Sequence, residues 1–534
     1  MFWLWVTLLA VFSVRSKCVA NLPSLTPLEV VALARQSCVI LLMQPAPPLL
    51  TQAVTELHSL VLRGLLPVGQ SNLQSFRNET FIRLKLSEAS AGLVVVSQKK
   101  PDRTCLLADA LLHTELEAHL YKGPISSLDV ILSFLNLHCN SYWSLDGGLT
   151  SAGLRRKQIF EQLYKVTERS DSVPFGHLAD RCSDLSLFFK TGRCAGQKDV
   201  CERKENNLVC ESANVVLPKC DVLYSLPSDP RLFLRDFVAR GKPVIFKKGI
   251  TGWPAFSKWT NDFFRRKFGK TPLHIKLTPP VGEFEGVESI RIWNVSKERI
   301  PHKVLTQISY PHLVVVRPDG QEMSVNAFLD LVEKKTENSS RLSAYLEYAP
   351  IRDYMQDIES DLNKPKFMSQ LLKLDLLNIW LSDGNTLGKL HMDFYDNLLC
   401  QIRGNKQVIL FEPWNNSRLY ESHILETILR YENGTFYRDK LLEATAISMA
   451  PVDIVRPDFE MFPLFRDTHP LNCTIEEGDM LYLPSYWWHE VQSYPNAKEK
   501  RNLAVNFWYR PFLTKEVPCA ECTFDINPAY RHLL

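Results

Sequence analysis

From about residue 370 onward the chain breaks into short apolar runs: "LNIWLSD", "NLLCQIRG", "KQVILFEP", "DMLYLP", "HEVQSY" and "LAVNFWYR". Most are separated by turn residues, and each has the length and composition of a strand. Many short strands with turn punctuation make a β-sandwich or barrel. Polar side chains directed into such a barrel need a reason to be there, because burying them without partners is costly.

The stretch "LHMDFYDNLLCQIRGNKQVILFEP" holds three of them. Residues i and i+2 of a strand share a face, so His391 and Asp393 point the same way. Lys406 follows thirteen residues after Asp393 and is expected on a second strand, hairpinned to the first across "RGNK". A lone H-x-D carries little weight. Further on, "EEGDMLYLPSYWWHEVQSY" supplies a Gly-Asp turn, a buried strand and then His489 at the start of the next strand. Two histidines and one carboxylate leave three adjacent coordination positions open, which suits non-haem Fe(II) and oxygen chemistry. Zinc is the rival metal, since catalytic zinc takes similar sets, but zinc gives no reason for the lysine. A dicarboxylic cosubstrate bound to the metal at one end would present its far carboxylate to Lys406, as 2-oxoglutarate does. The competing reading of Lys406 is a solvated residue beside the Asn405 turn.

Taken together, "HMDFYDNLLCQIRGNKQVILFEP", "GDMLYLPSYWWHEVQSY" and "LAVNFWYRP" closely resemble the JmjC-domain Fe(II)- and 2-oxoglutarate-dependent oxygenases. The nearest likeness is to the small hydroxylases, such as the asparaginyl hydroxylase acting on hypoxia-inducible factor, and it covers about residues 228–512. The resemblance implies a mainly β double-stranded β-helix, the cupin or jelly-roll form, with a helical surround. It implies Fe(II) held by His391, Asp393 and His489 as the catalytic centre. Lys406 would pair with the far carboxylate of 2-oxoglutarate, Asn397 would help hold the cosubstrate, and Tyr345 in "SAYLEY" would bond the same carboxylate. Asn506 and Trp508 in "NFWYR" would line the pocket near the distal histidine. The substrate implied is a protein or peptide side chain. One residue departs from the pattern. Many of these enzymes carry Thr or Ser three residues before the first ligand, where this chain has Gly388; Thr386 and Ser382 lie nearby, out of register. One missing hydrogen bond is worth about 0.5–1.5 kcal/mol, or roughly tenfold in affinity. The alternative function is a non-catalytic luminal adaptor or folding factor.

The chain opens with "MFWLWVTLLAVFSV", an apolar run of about fourteen residues, followed by Cys18-Val19-Ala20. A membrane span needs roughly 20 residues, so residues 1–20 read as a signal peptide. Arg15 and Lys17 follow the run and no basic residue precedes it, which is the case for an uncleaved anchor. No later segment is long and apolar enough to span, so the mature chain is expected to have no membrane span. Thirteen cysteines become twelve when Cys18 is lost with the leader. Cys182, Cys194, Cys201, Cys210 and Cys220 crowd into 39 residues, which reads as a disulfide framework. Five is odd, so one bridge leaves the cluster, with Cys139 as the expected partner. Six N-x-S/T sequons, at Asn78, Asn294, Asn338, Asn415, Asn433 and Asn472, agree with passage through the secretory pathway. The destination expected is the endoplasmic reticulum lumen or export; "YRHLL" is not a KDEL-type retrieval signal.

Residues 21–140 alternate strand and helix patterns, which suggests a small α/β domain. Its ending, "LYKGPISSLDVILSFLNLHCNSYWSLDGGLTSAG", resembles the close of a thioredoxin-like domain of the protein disulfide isomerase group. The C-x-x-C of that family is missing, so the resemblance implies a redox-inactive binding domain; some other small α/β domain is the alternative. Residues 141–227 read as a helical and Cys-rich connector, 228–512 as the catalytic domain, and 513–534 as a tail. In the tail, Cys519-Ala-Glu-Cys522 reads as a local disulfide. The segment from Asn415 to Cys473 carries three sequons and is expected to be a mostly exposed insertion near the site mouth. Net charge is +3, from 62 basic and 59 acidic side chains, which gives no nucleic-acid stripe. Homodimer formation is left open.

Overall fold

The computed structural model describes residues 217–534 apart from 281–282, 294–299 and 335–341, and upstream of 217 stretches that include the elements named below and the helices Ser151–Leu163, Phe175–Arg181 and Leu185–Thr191. Residues 1–20, Cys194 and the sequons at Asn78, Asn294 and Asn338 lie outside the described residues. The chain divides into two compact units, Met1–Lys157 and Gln158–Leu534.

In the first unit β1 (Val39–Gln44), α1 (Pro48–Leu57) and β2 (Val68–Asn72) form a strand–helix–strand crossover with β1 and β2 parallel. β3 (Gly92–Gln98) and β4 (Leu116–Leu120) are antiparallel to each other, and β3 is antiparallel to β1. The sheet order is β2-β1-β3-β4, and α2 (Leu128–Cys139) closes the unit. Pro48 suits the first turn of α1, where no amide hydrogen is needed. Leu50, Ala53, Val54 and Leu57 then recur at helical spacing and are buried with Ile40, Leu42, Leu93 and Val95. Cys139, at the end of α2, bonds Cys38, at the start of β1. The expected bridge from the cysteine cluster to Cys139 is therefore absent, because α2 packs back on its own sheet.

The second unit contains a hairpin, β5 (Val200–Lys204) with β6 (Asn207–Glu211). Next come β7 (Asp221–Leu223), β8 (Val244–Phe246), β9 (Pro272–Thr278), β10 (Glu283–Phe284) and β11 (Gly286–Ser289). They are followed by β12 (Leu313–Pro318), β13 (Gly320–Ser324), β14 (Ser343–Pro350) and β15 (Leu374–Ser382). The strand run expected from the sequence contains β16 (Leu387–Met392), β17 (Asp396–Arg403) and β18 (Asn405–Phe411). After these come β19 (Ile424–Glu432), β20 (Thr435–Ala446), β21 (Leu471–Asn472), β22 (Met480–Leu483), β23 (Trp488–Tyr494) and β24 (Asn502–Tyr509).

Two sheets build the double-stranded β-helix. One has the order β13-β9-β14-β15-β24-β17-β22-β8-β7, the other β10-β16-β23-β18-β21. A third sheet, β11-β12-β19-β20, is added beside them. Helices α3 (Asn261–Phe268) and α4 (Val325–Val332), capped by Thr260 and Ser324, bury Phe264, Phe268, Phe328 and Leu329 in the same core as the barrel strands. No helix among the described residues is long and apolar enough to cross a membrane.

Three expectations are corrected here. β17 and β18 are not a hairpin: β17 pairs with β22 and β24, while β18 pairs with β23 and β21. Between them Gly404, at φ +74°, passes the chain from one sheet to the other; a side chain there would run into the Tyr494 carbonyl. The stretch from 415 to 473 is not a mostly exposed insertion. Leu419, Ile424, Ala450, Val452, Phe462 and Phe465 are core residues, and the sequon residue Asn415 is 3% exposed, beside Glu412. Asn433 is the exposed sequon of this stretch, in the β19–β20 turn. Finally, Cys400 is a buried free thiol, so the twelve cysteines do not all pair. Cys220–Cys473 is a bridge that leaves the cluster, and Cys519–Cys522 is the local disulfide expected in the tail.

Candidate active site

β16 and β23 run antiparallel, and their register sets His391 directly opposite His489. The two imidazole rings lie 4.2 Å apart between centroids. Asp393 is the first residue past the end of β16; its carbonyl accepts from the Tyr486 amide at 2.8 Å, which fixes the turn. Its carboxylate reaches within 3.6 Å of His489 Nε2. One donor atom from each of the three side chains lies within 4.8 Å of the others.

The backbone sets the protonation pattern. His391 Nδ1 lies 2.6 Å from the Lys389 carbonyl and His489 Nδ1 lies 2.8 Å from the Trp487 carbonyl. A carbonyl can only accept, so each Nδ1 carries the hydrogen and each Nε2 keeps a lone pair for the common centre. Burial, with His489 alongside, pushes the His391 imidazole below its ordinary pKa. Burial also pushes the Asp393 carboxyl up, but the adjacent His489 and His391 outweigh it and hold the group below the usual carboxylate value. Neutral imidazoles and an ionised carboxylate are the states that bind a divalent ion. The donor set fits one.

The same cavity, about 730 Å³ including its open mouth, holds Lys406. Lys406 on β18 pairs in register with Ser493 on β23. It is 3% exposed, donates to Ser493 Oγ at 2.7 Å, and lies 5.9 Å from the centre of the Tyr345 ring. No carboxylate is within ion-pair distance of it among the described residues, and burial pushes its pKa down to about 7. The solvated reading of Lys406 is thereby excluded. A buried ammonium without an acid is an unfilled demand for an anion, and a cosubstrate carboxylate fits it. Ser493 lies four residues beyond His489 on the same face of β23, roughly 13 Å along the strand.

Asn397 and Asn506 also line this cavity and are joined, Asn506 Nδ2 donating to Asn397 Oδ1 at 3.2 Å. Asn506 Oδ1 in turn accepts from Asn378 and from the Trp380 indole. Tyr345 lines the cavity, edge-on to Phe284. Trp508 is the exception. It is absent from the lining and packs against Trp380 and Tyr348, which do line it, while the Tyr395 ring stacks on it at 4.9 Å. Trp508 is covered by these rings, and Tyr348 and Trp380, not the Trp508 indole, form the wall.

Gly388 lines the cavity and leaves room: an added Cβ would meet only His391 Cε1 at 3.8 Å and the Val491 carbonyl at 3.9 Å. Thr386 lines it too, against the expectation that it stands out of register. A bulge between Gly388 and His391 shifts the alternation by one, so 386, 388 and 391 share a face. Ser382 is occupied with the Gly384 amide.

Sequence reasoning missed Ser493, Glu285 and Glu347. Counting alternation from His489 finds Ser493. The two glutamates come from distant segments that carry no local signal. Glu285 touches Arg317 and lies 3.4 Å from Lys276, and Lys276 also touches Glu347. Burial raises the Glu347 carboxyl to about 7, with Lys276 working against it. Glu285 and Tyr348 both hold positive φ, +64° and +50°; such backbone clusters at functional sites.

Compared with known proteins, residues 230–515 match the family of cupin-like domains. A human protein named bifunctional peptidase and (3S)-lysyl hydroxylase JMJD7 is 28% identical over 315 residues, 58% of this chain and 86% of its own. An Arabidopsis thaliana protein named lysine-specific demethylase JMJ32 is 27% identical over 336 residues, 59% of this chain and 86% of its own. A Gallus gallus protein named tRNA wybutosine-synthesizing protein 5 is 26% identical over 309 residues, 56% of this chain and 77% of its own.

Proposed function

The chain belongs to the cupin-like JmjC family, and from that premise we propose that it is an Fe(II)- and 2-oxoglutarate-dependent dioxygenase that hydroxylates a protein side chain in the secretory pathway. The observation that carries the reading is the buried, acid-free ammonium of Lys406 in the cavity of the His391, Asp393 and His489 cluster. A structural barrel would have no use for either.

His391, Asp393 and His489 would hold the iron, and the bonds from the two Nδ1 atoms to backbone carbonyls keep the rings oriented. When bound, iron with 2-oxoglutarate supplies the oxidising power for inserting oxygen into a C–H bond. Lys406, with Tyr345 beside it, would anchor the far carboxylate of the cosubstrate. The Asn397–Asn506 pair presents fixed amides to the cavity. Leu483, Val491 and Trp380 give it apolar walls that limit water.

The apolar leader, the exposed Asn433 sequon and disulfides such as Cys38–Cys139, Cys220–Cys473 and Cys519–Cys522 support a luminal or exported protein. The strand order of the first unit supports a thioredoxin-like domain, and without a C-x-x-C its role would be binding. A non-catalytic adaptor is the competing reading, favoured by Gly388. The test is succinate release by the full chain with Fe(II) and labelled 2-oxoglutarate, wild type against His391→Ala. Release that the substitution abolishes supports the enzyme; no release and no bound 2-oxoglutarate leaves the adaptor.

A further inference from the structure

An anion seated against Lys406 needs more than one partner, and the position that commonly supplies a hydroxyl is Gly388 here. On the facing strand, Ser493 is 1% exposed and lines the same cavity. Its oxygen is already used as an acceptor by Lys406 Nζ at 2.7 Å. Its amide donates to the Thr386 carbonyl, and its carbonyl accepts from Gln492. That leaves the hydroxyl hydrogen, which has no acceptor among the described residues. A buried hydroxyl hydrogen beside a buried ammonium is a two-donor site with no protein anion to fill it.

We infer that Ser493 is a cosubstrate-binding residue, donating its hydroxyl hydrogen to the same carboxylate that Lys406 holds, so that the hydroxyl missing at Gly388 is supplied from β23 instead of β16. This deepens the proposed function and rests on it. The register explains how the exchange is possible. Gly388 pairs with Val491, two residues before Ser493 on the same face, so a hydroxyl from either strand enters the cavity from adjacent positions. The space at Gly388 is also open to a Cβ at ordinary contact distances, so the lost group can be put back. A hydrogen bond to a charged acceptor is stronger than a neutral one, which makes its removal measurable.

The test is equilibrium dialysis of the Mn(II)-loaded full chain with 2-oxoglutarate, and with a 2-oxo monocarboxylate that lacks the far carboxylate. Ser493→Ala should weaken 2-oxoglutarate binding about tenfold and leave the monocarboxylate nearly unchanged. Ser493→Thr should retain most of the affinity, and adding Gly388→Thr to Ser493→Ala should restore part of it. A variant that only loosened the fold would weaken both ligands alike, which would overturn the inference. So would a tenfold loss from Thr386→Val with none from Ser493→Ala. If the wild type binds 2-oxoglutarate and Ser493→Ala binds equally well, Ser493 has no such role while the oxygenase reading stands. If the wild type does not bind it at all, both fall.

Discussion

The two ends of the cavity are built on opposite principles. At the His391, Asp393 and His489 end the protein satisfies its own groups: each Nδ1 has a carbonyl, and the carboxylate sits against an imidazole. At the Lys406 end it leaves a charge with one hydroxyl and no counter-ion. The first end is organised before any ligand arrives. The second is organised by the ligand, and until then it is a cost to the fold. Preorganisation suits an ion whose geometry must be held; an unmet charge suits an anion that has to be selected.

The sharpest way to break this contrast is to remove an organised group. His391→Ala should lower succinate release at least a thousandfold, read by release of labelled succinate, since two ligands do not hold the ion. Next, Lys406→Met should weaken 2-oxoglutarate roughly a hundredfold in dialysis. The same substitution should raise the stability of the ligand-free protein by about 1–3 kcal/mol in a denaturant titration, because it removes a buried, unpaired charge. A fall in both affinity and stability would show that the two ends are alike after all. Third, the Lys406 pKa of about 7 makes binding depend on pH. Below 7 the ammonium is charged and ready. Above 7 the empty cavity holds a neutral amine, and binding must take up a proton. Affinity should therefore fall about tenfold per pH unit between pH 7 and roughly 9, measured with Mn(II) in place of iron; a flat profile would sink the point.

The same contrast explains what is legible in the sequence. The strand run, the shared face of His391 and Asp393, and the inward lysine are all local patterns, governed by alternation along one strand. Pairing is not local. A hairpin between β17 and β18 is the simplest reading of "RGNK", and it loses because Gly404 turns the chain into a different sheet. Alternation puts Thr386 out of register because a bulge is invisible to a period of two. Glu285, Glu347 and the burial of Asn415 depend on contacts between segments far apart in the chain, and nothing local announces them. The family resemblance puts Trp508 on the wall, but its neighbours Tyr348 and Trp380 take that place.

The Cys220–Cys473 bridge spans 253 residues and ends in the segment that borders the strand of Lys406, with the Cys473 amide bonded to Val408 and Ile475 paired with Lys406. A ribosome therefore releases Cys220 long before its partner exists. Through that interval the thiol must be kept from the other cysteines already made, and the Lys406 side of the barrel can be locked only after Cys473 has been added.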